Sequence, residues 1–190
     1  FEILGHTDLD LIELAGRTCY KSEMAPAVEL RNKFISSRIR LEHSFLSVKF
    51  ICDRGVSHEL VRHRLASFSQ ESTRYCNYKG GVTFVIPPWS DIQEDEYKSN
   101  FLRLVSNTKD PRWPKYVEDT IWIEAMLKAE EYYIDLLKYN WSPQQARSVL
   151  PNSLKTEIVV TANFREWRHI FKLRCSSSAH PQMREIMIPL

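Results

Sequence analysis

Five glycines occur among the 190 residues: Gly5, Gly16, Gly55, Gly80 and Gly81. Neither G-x-G-x-x-G nor G-x-x-x-x-G-K-[ST] can be written anywhere in the chain, which excludes the usual Rossmann turn and the Walker loop. Any phosphate bound here must be held largely by side chains. Excess charge is also lacking. Lys and Arg number 26 and Asp and Glu 24, for a net charge of +2, so the footprint of a general nucleic-acid binder is absent. The four cysteines (Cys19, Cys52, Cys76, Cys175) include no C-x-x-C pair. That spacing argues against a metal centre or a disulfide framework and suits a reducing, cytoplasmic setting. No apolar run approaches the ~20 residues of a membrane span. One domain of 1–190 is expected from the length.

What is present is a polar, aromatic-rich chain with clear local periods. Asp8 to Tyr20 reads as a helix with Leu9, Leu11, Ile12, Leu14, Ala15 and Cys19 on a broad stripe. Val28, Leu30, Phe34 and Ile35 suggest a second helix. Ser44 to Cys52 alternates with period 2 and reads as a strand. Val56 to about Leu65 reads as a short polar helix, and Ala66 to Lys79 as a structured loop. Val82 to Ile86 is β-branched and stops at Pro87-Pro88, the pattern of a strand. Trp89 to Val117 reads as an exposed insertion, and Asp119 to Asn140 as the longest helix. Ser142-Pro143 is a helix start, with Ser as N-cap and Pro at N1. Thr156 to Thr161 reads as a strand and Asn163 to Cys175 as a helix, with Trp167, Ile170, Phe171 and Leu173 facing the core. Ala179 to Ile188 is a last helix or an extended tail. This order fits an α+β domain better than regular βαβ repeats.

The chemistry is concentrated between Glu59 and Tyr75. Arg62, His63, Arg64 and Arg74 fall within thirteen residues, beside Gln70, Ser72 and Thr73. Arginine suits bidentate recognition of phosphate or carboxylate. A run of charge is most often a solvated face, so a basic surface and an anion clamp both remain open. Arg147 follows Pro143 on a short helix, and Arg174 ends the helix that Asn163 opens. An Arg in that place is commonly a cap that favours the dipole. Arg165 and His169 share one face of the same helix. His63 and His169 suit either a general base or a structural hydrogen bond. Ser72 has no evident base partner, so no nucleophilic triad is expected.

Arg62-His63-Arg64, seven residues, then Ser72 resembles the R-H-R-x7-S signature of the flavin-dependent thymidylate synthases. Flanking blocks agree in the same order: Ala15 to Tyr20, Leu41-Glu42-His43, His58-Glu59, Gln70 to Tyr75, Ala146-Arg147, Asn163 to His169 and Leu173-Arg174. The resemblance implies a central, mostly antiparallel sheet flanked by helices, outside the Rossmann class. It implies methylation of dUMP to dTMP, with methylenetetrahydrofolate as one-carbon donor and NADPH-reduced FAD as hydride source. It implies a homotetramer with active sites between subunits, and neither a nucleic-acid nor a membrane partner. By the same resemblance Arg62, His63, Arg64, Asn163, Arg165 and His169 hold FAD. Glu59, Arg62, Gln70, Glu71, Ser72, Thr73, Arg74, Arg147 and Arg174 hold dUMP, with Arg174 facing the uracil as the catalytic cation. The chain departs from the pattern in the Ser36–Arg40 segment, which lacks the usual Gly-His, in the looser region from Cys175 to Met183 with His180, and at two single positions. Ile39 stands where a small hydroxyl residue helps hold FAD, and Glu71 replaces a more usual apolar residue. A non-catalytic nucleotide-binding module, or a relative that has lost FAD through the altered Ser36–Arg40 segment, are the competing readings.

Overall fold

The computed structural model describes residues 1–8, 10–20, 32–33, 41–94 and 117–190. The helix expected around Val28 to Ile35, the Ser36–Arg40 segment and most of the expected insertion lie outside them. The chain forms two compact units, the first comprising Phe1–Ile51, Val56–Gln70 and Glu157–Leu190, the second Cys52–Gly55 and Glu71–Thr156.

Four strands make one sheet among the described residues: β1 (Glu2–His6), β2 (Phe45–Asp53), β3 (Ala66–Gln70) and β4 (Lys155–Asn163), in the order β1-β2-β4-β3. The β1–β2 and β3–β4 pairs are antiparallel. Strand β2 forms because Val48, Phe50 and Cys52 alternate to one buried side. In β4 the alternation is complete, with Thr156, Ile158, Val160 and Ala162 buried and the residues between them half-buried. Strand β1 was not expected. Its adjacent Ile3 and Leu4 are both about half exposed, and Gly5 sits at a register shift against β2. Strand β3 corrects the loop expected over 66–79. Ala66, Phe68 and Gln70 are half-buried while Ser67 and Ser69 face out, and Phe68 lies opposite Val160. Small polar residues on the outer side hid the period.

Four helices of the first unit follow from the expected patterns with altered limits. Helix α1 (Asp10–Tyr20) buries Ile12 and leaves Leu11 and Leu14 exposed. Helix α2 (Arg54–Leu60) starts in the second unit and ends five residues earlier than expected, because the His63 N–H bonds the Leu60 carbonyl and turns the chain. The helix after β4, which we number α5 (Phe164–Arg174), is capped by Asn163, whose side chain accepts the Glu166 N–H at 2.9 Å. It packs Trp167 and Ile170 inward, and the Trp167 indole N–H reaches the Leu46 carbonyl at 2.9 Å. Leu173, expected on the core side, is 46% exposed. The last segment is helical, α6 (Pro181–Met187), with Met183 and Met187 buried.

The second unit is organised by α3 (Val117–Lys138), on which Asp119, Ile123 and Leu127 recur every four residues on one buried stripe. Ile92 is buried with Ile123 and Leu127, so the described start of the expected insertion is not merely exposed. Val82 to Ile86 is not a strand. Only Phe84 bridges to Leu154, and Gly81, at φ +128°, turns the chain just before it. After α3 comes Asn140, in the left-handed region at φ 64°. A short helix, α4 (Pro143–Ala146), then runs into a 3-10 turn at Arg147–Val149. The Gln145 side chain secures its start, accepting both the N–H and the hydroxyl of Ser142.

Candidate functional site

In the first unit the polar groups converge at the C-terminal end of α5. Arg174 is held there by three donors. Its Nε donates to His63 Nε2 at 2.9 Å, Nη1 to Glu59 Oε2 at 2.5 Å, and Nη2 to the Glu59 carbonyl at 2.9 Å. The capping role expected for Arg174 by itself is therefore replaced by a contact with α2, 115 residues away. A guanidinium carries five N–H groups. Three are engaged, which leaves one on each terminal nitrogen. The Arg174 side chain is only 17% exposed, so those two donors are fixed in direction.

His63 is buried in the turn after α2. Its Nδ1 lies 3.5 Å from Glu166 Oε1, an ion-pair separation longer than a normal N–H···O hydrogen bond, and its ring meets His169 edge-on. Burial, reinforced by the Arg174 guanidinium, pushes the His63 pKa down, while Glu166 pulls the other way. The Arg174 Nε donor, which needs a lone pair on His63 Nε2, likewise favours the neutral ring. Glu166 itself is buried. Read from the sequence, it is only a first-turn acid of the kind helices favour. Its spacing of three from both Asn163 and His169 was the available signal.

Around this core the other expected cofactor residues are more open. Arg62, Arg64 and His169 are exposed, and among the described residues the side chains of Arg62 and Arg64 make no ion pair. Arg165 is exposed and paired with Glu42, whose carboxyl pKa it holds below the usual value. The Glu42 partnership was not foreseen. Among the described residues nothing engages the Asn163 amide NH2, since only its oxygen serves the cap. Gln70, expected at the substrate, donates to Ser57 Oγ at 2.8 Å.

The remaining expected substrate residues belong to the second unit. Arg147 Nη1 donates to the buried Thr73 hydroxyl at 2.9 Å. Ser72 Oγ accepts the Arg74 N–H at 3.3 Å, and the Arg74 guanidinium lies over the Tyr75 ring. Ser72 thus organises its own turn while Thr73 fixes Arg147 across 74 positions, and no base approaches Ser72 among the described residues. Glu71 has both oxygens engaged, by the Tyr78 hydroxyl at 2.8 Å and by Lys155 at 3.3 Å. Burial and this carboxylate together push the Tyr78 pKa up. Cys52 is no nucleophile, because burial raises its thiol to about 12.

A family model described as thymidylate synthase complementing protein matches residues 2–190. The flavin-dependent thymidylate synthase of Mycobacterium leprae is 34% identical over 197 residues, covering 96% of this chain and 75% of that protein. The Corynebacterium efficiens enzyme of the same name is 35% identical over 188 residues, covering 94% and 72%. Among solved structures, a Helicobacter pylori flavin-dependent thymidylate synthase complexed with FAD and dUMP is similar at TM-score 0.71. It is 24% identical and covers 99% of this chain and 91% of that one. Such a likeness establishes the α+β fold, and the sequence relatives establish the rest: the chain belongs to the flavin-dependent thymidylate synthase family.

Proposed function

We propose that this chain methylates dUMP to dTMP, using methylenetetrahydrofolate as one-carbon donor and NADPH-reduced FAD as hydride source, with Arg174 as its catalytic residue. The observation that carries this reading is the anchored Arg174 guanidinium with two N–H groups that no described residue engages. A fixed pair of donors of that kind is complementary to a uracil carbonyl edge. As negative charge develops on the ring, a preorganised cation stabilises it without reorganising. The anionic ring then carries nucleophilic character at C5, and no enzyme thiol is required.

The first unit supplies a donor set that fits an anionic cofactor. Arg62, Arg64 and His169 are exposed cations or donors, the Asn163 NH2 is unengaged among the described residues, and Arg165 is exposed on α5 with His169. We assign FAD to Arg62, His63, Arg64, Asn163, Arg165 and His169, as side chains replacing the absent glycine cradle. When bound, the flavin supplies the hydride that completes the methyl group. We assign dUMP to Glu59, Arg62, Gln70, Glu71, Ser72, Thr73, Arg74, Arg147 and Arg174. Arg74 and Arg147 suit its phosphate. Glu71 enters through the backbone of this segment, since Tyr78 and Lys155 occupy its carboxylate. The reading takes residues 1–190 as one catalytic domain, assembled as a homotetramer with sites between subunits. It places the enzyme in the cytoplasm. No helix among the described residues is long and apolar enough to cross a membrane.

The test is direct. Purified protein loaded with FAD should be yellow, should oxidise NADPH faster when dUMP is added, and should release tritium from C5-labelled dUMP. Loaded protein with no dUMP-dependent tritium release would sink the assignment. Salt-steep RNA binding without flavin uptake would favour the nucleotide-binding module instead.

A further inference from the structure

Arg174, His63 and Glu166 form one file of groups whose proton positions constrain each other. A guanidinium has no lone pair, so the 2.9 Å contact from Arg174 Nε requires His63 Nε2 to be unprotonated. A neutral imidazole carries a single N–H, which must then sit on Nδ1. That nitrogen is the one facing the Glu166 carboxylate, at 3.5 Å. The opposite tautomer would set N–H against N–H at Arg174 and leave a bare lone pair against a carboxylate. Both errors would occur in a buried place, where mismatched polar groups are most costly.

We propose that Glu166 is a positioning residue: by setting its carboxylate against Nδ1 of His63, it favours the Nδ1–H tautomer, whose Nε2 holds Arg174 in place. The inference rests on the reading that Arg174 faces the uracil. Which ring nitrogen of a histidine carries the proton is set by the hydrogen bond made by the other. Here the second partner comes from the first turn of the same helix that ends in Arg174. Asn163 fixes that turn by capping the Glu166 N–H. The charged and titratable groups facing His63 are Arg174, Glu166 and His169, with Glu59 behind Arg174. The downward pKa of His63 agrees with a neutral ring.

The same His63, Glu166 and His169 atoms lie within 4.8 Å of one another, a spacing that could draw in a cation. The Arg174 guanidinium already seated on His63 disfavours a second positive charge there, so tautomer selection is the better account of the cluster.

The test combines nitrogen NMR of 15N-histidine-labelled, FAD-loaded protein with kinetics. His63→Gln identifies the resonances. Wild-type His63 is expected as the Nδ1–H tautomer. In Glu166→Ala that preference should be lost, and kcat for tritium release should fall about 10–100-fold, the usual scale for removing the partner that orients a functional histidine. The KM for dUMP should move by no more than about threefold, because Arg174 keeps its two Glu59 contacts. A merely structural Glu166 would lower stability without changing the tautomer. Wild-type His63 as Nε2–H, or Glu166→Ala with wild-type kcat, overturns the inference. The wild-type spectrum decides even if the variant does not fold. Wild-type protein with the Nδ1–H tautomer but no methylation would overturn the proposed reaction and leave the tautomer assignment standing.

Discussion

Replacing Arg174 by alanine removes the cation and all three of its anchoring bonds at once. The side chain has two N–H groups beyond those held by His63 and Glu59. A hydrogen bond that involves a charged group is worth about 1.5–3 kcal/mol. Two such bonds to an anionic ring therefore amount to about 3–6 kcal/mol, made chiefly in the transition state. At about 1.4 kcal/mol per decade, kcat should fall about 10²–10⁴-fold. Lysine in the same place keeps the charge but offers one ammonium where a planar fork made three contacts. Arg174→Lys should lie between, losing about 10–100-fold. The fold should survive both changes. Glu59 is 37% exposed on its side chain, so water can take over from the lost guanidinium, and the stability cost should be about 1–3 kcal/mol.

Tritium release from C5-labelled dUMP at saturating nucleotide reads the chemistry, and flavin fluorescence quenching reads cofactor binding separately. The expected outcome is flavin affinity within about threefold of wild type together with the kcat loss above. Arg174→Ala that keeps more than about a tenth of wild-type kcat with flavin bound would refute the reasoning, because the barrier change would then be under 1.4 kcal/mol. If flavin binding and turnover were lost together, the side chain would belong to the cofactor site instead.

Arg147→Ala should raise the dUMP KM about 10–100-fold with kcat nearly unchanged, since it removes a phosphate partner that acts equally in ground and transition states; steady-state kinetics over a wide dUMP range checks this. Trp167→Ala should cost about 3–5 kcal/mol of stability, because Trp167 is 1% exposed and its N–H satisfies the Leu46 carbonyl. A denaturant midpoint unmoved by that change would contradict the packing described. His63, with its pKa lowered from 6.5 in the folded state, binds a proton more readily when unfolded. Its contribution to stability should be complete above pH ~6.5 and should decline as pH falls from there toward the folded-state pKa. Thermal unfolding from pH 8 to 5 should show a slope that flattens in His63→Gln; an identical slope in the variant would remove His63 as its source.

The helices and strands that read clearly are those whose buried side is apolar in the sequence itself. Helix α5 and strand β4 are of this kind, since Trp167 with Ile170, and Ile158 with Val160, mark their own inner faces. Strand β3 escaped because its alternation is between half-buried Ala66, Phe68 and Gln70 and outward serines, a contrast too weak to register without β4 beside it. Val82 to Ile86 failed in the opposite sense. Its residues suit a strand, but Phe84 has a single bridge to Leu154 and no continuous neighbour. Strand propensity describes what fits a pleated surface and cannot supply the partner.

The same distinction separates what was and was not legible at the site. Arg62, His63, Arg64 and Arg174 were visible because they fall in a signature and flanking blocks that resemble a known family; taken singly they also suited a solvated face or a helix cap. Their pairings were not visible: Glu59 was named through the resemblance, but for dUMP, and carboxylates are common on any surface. Glu59 meets Arg174 across 115 positions, and Glu42 meets Arg165 across 123. Nothing local in the chain announces either pairing. Glu166 is the sharpest case. By sequence it is an ordinary acid in the first turn of a helix, worth a few tenths of a kcal/mol to about 1 kcal/mol through the dipole. Placed against the neutral ring of His63, the same carboxylate controls a proton position that Arg174 depends on. The residue types named the chemistry, while the fold decided which acids serve it.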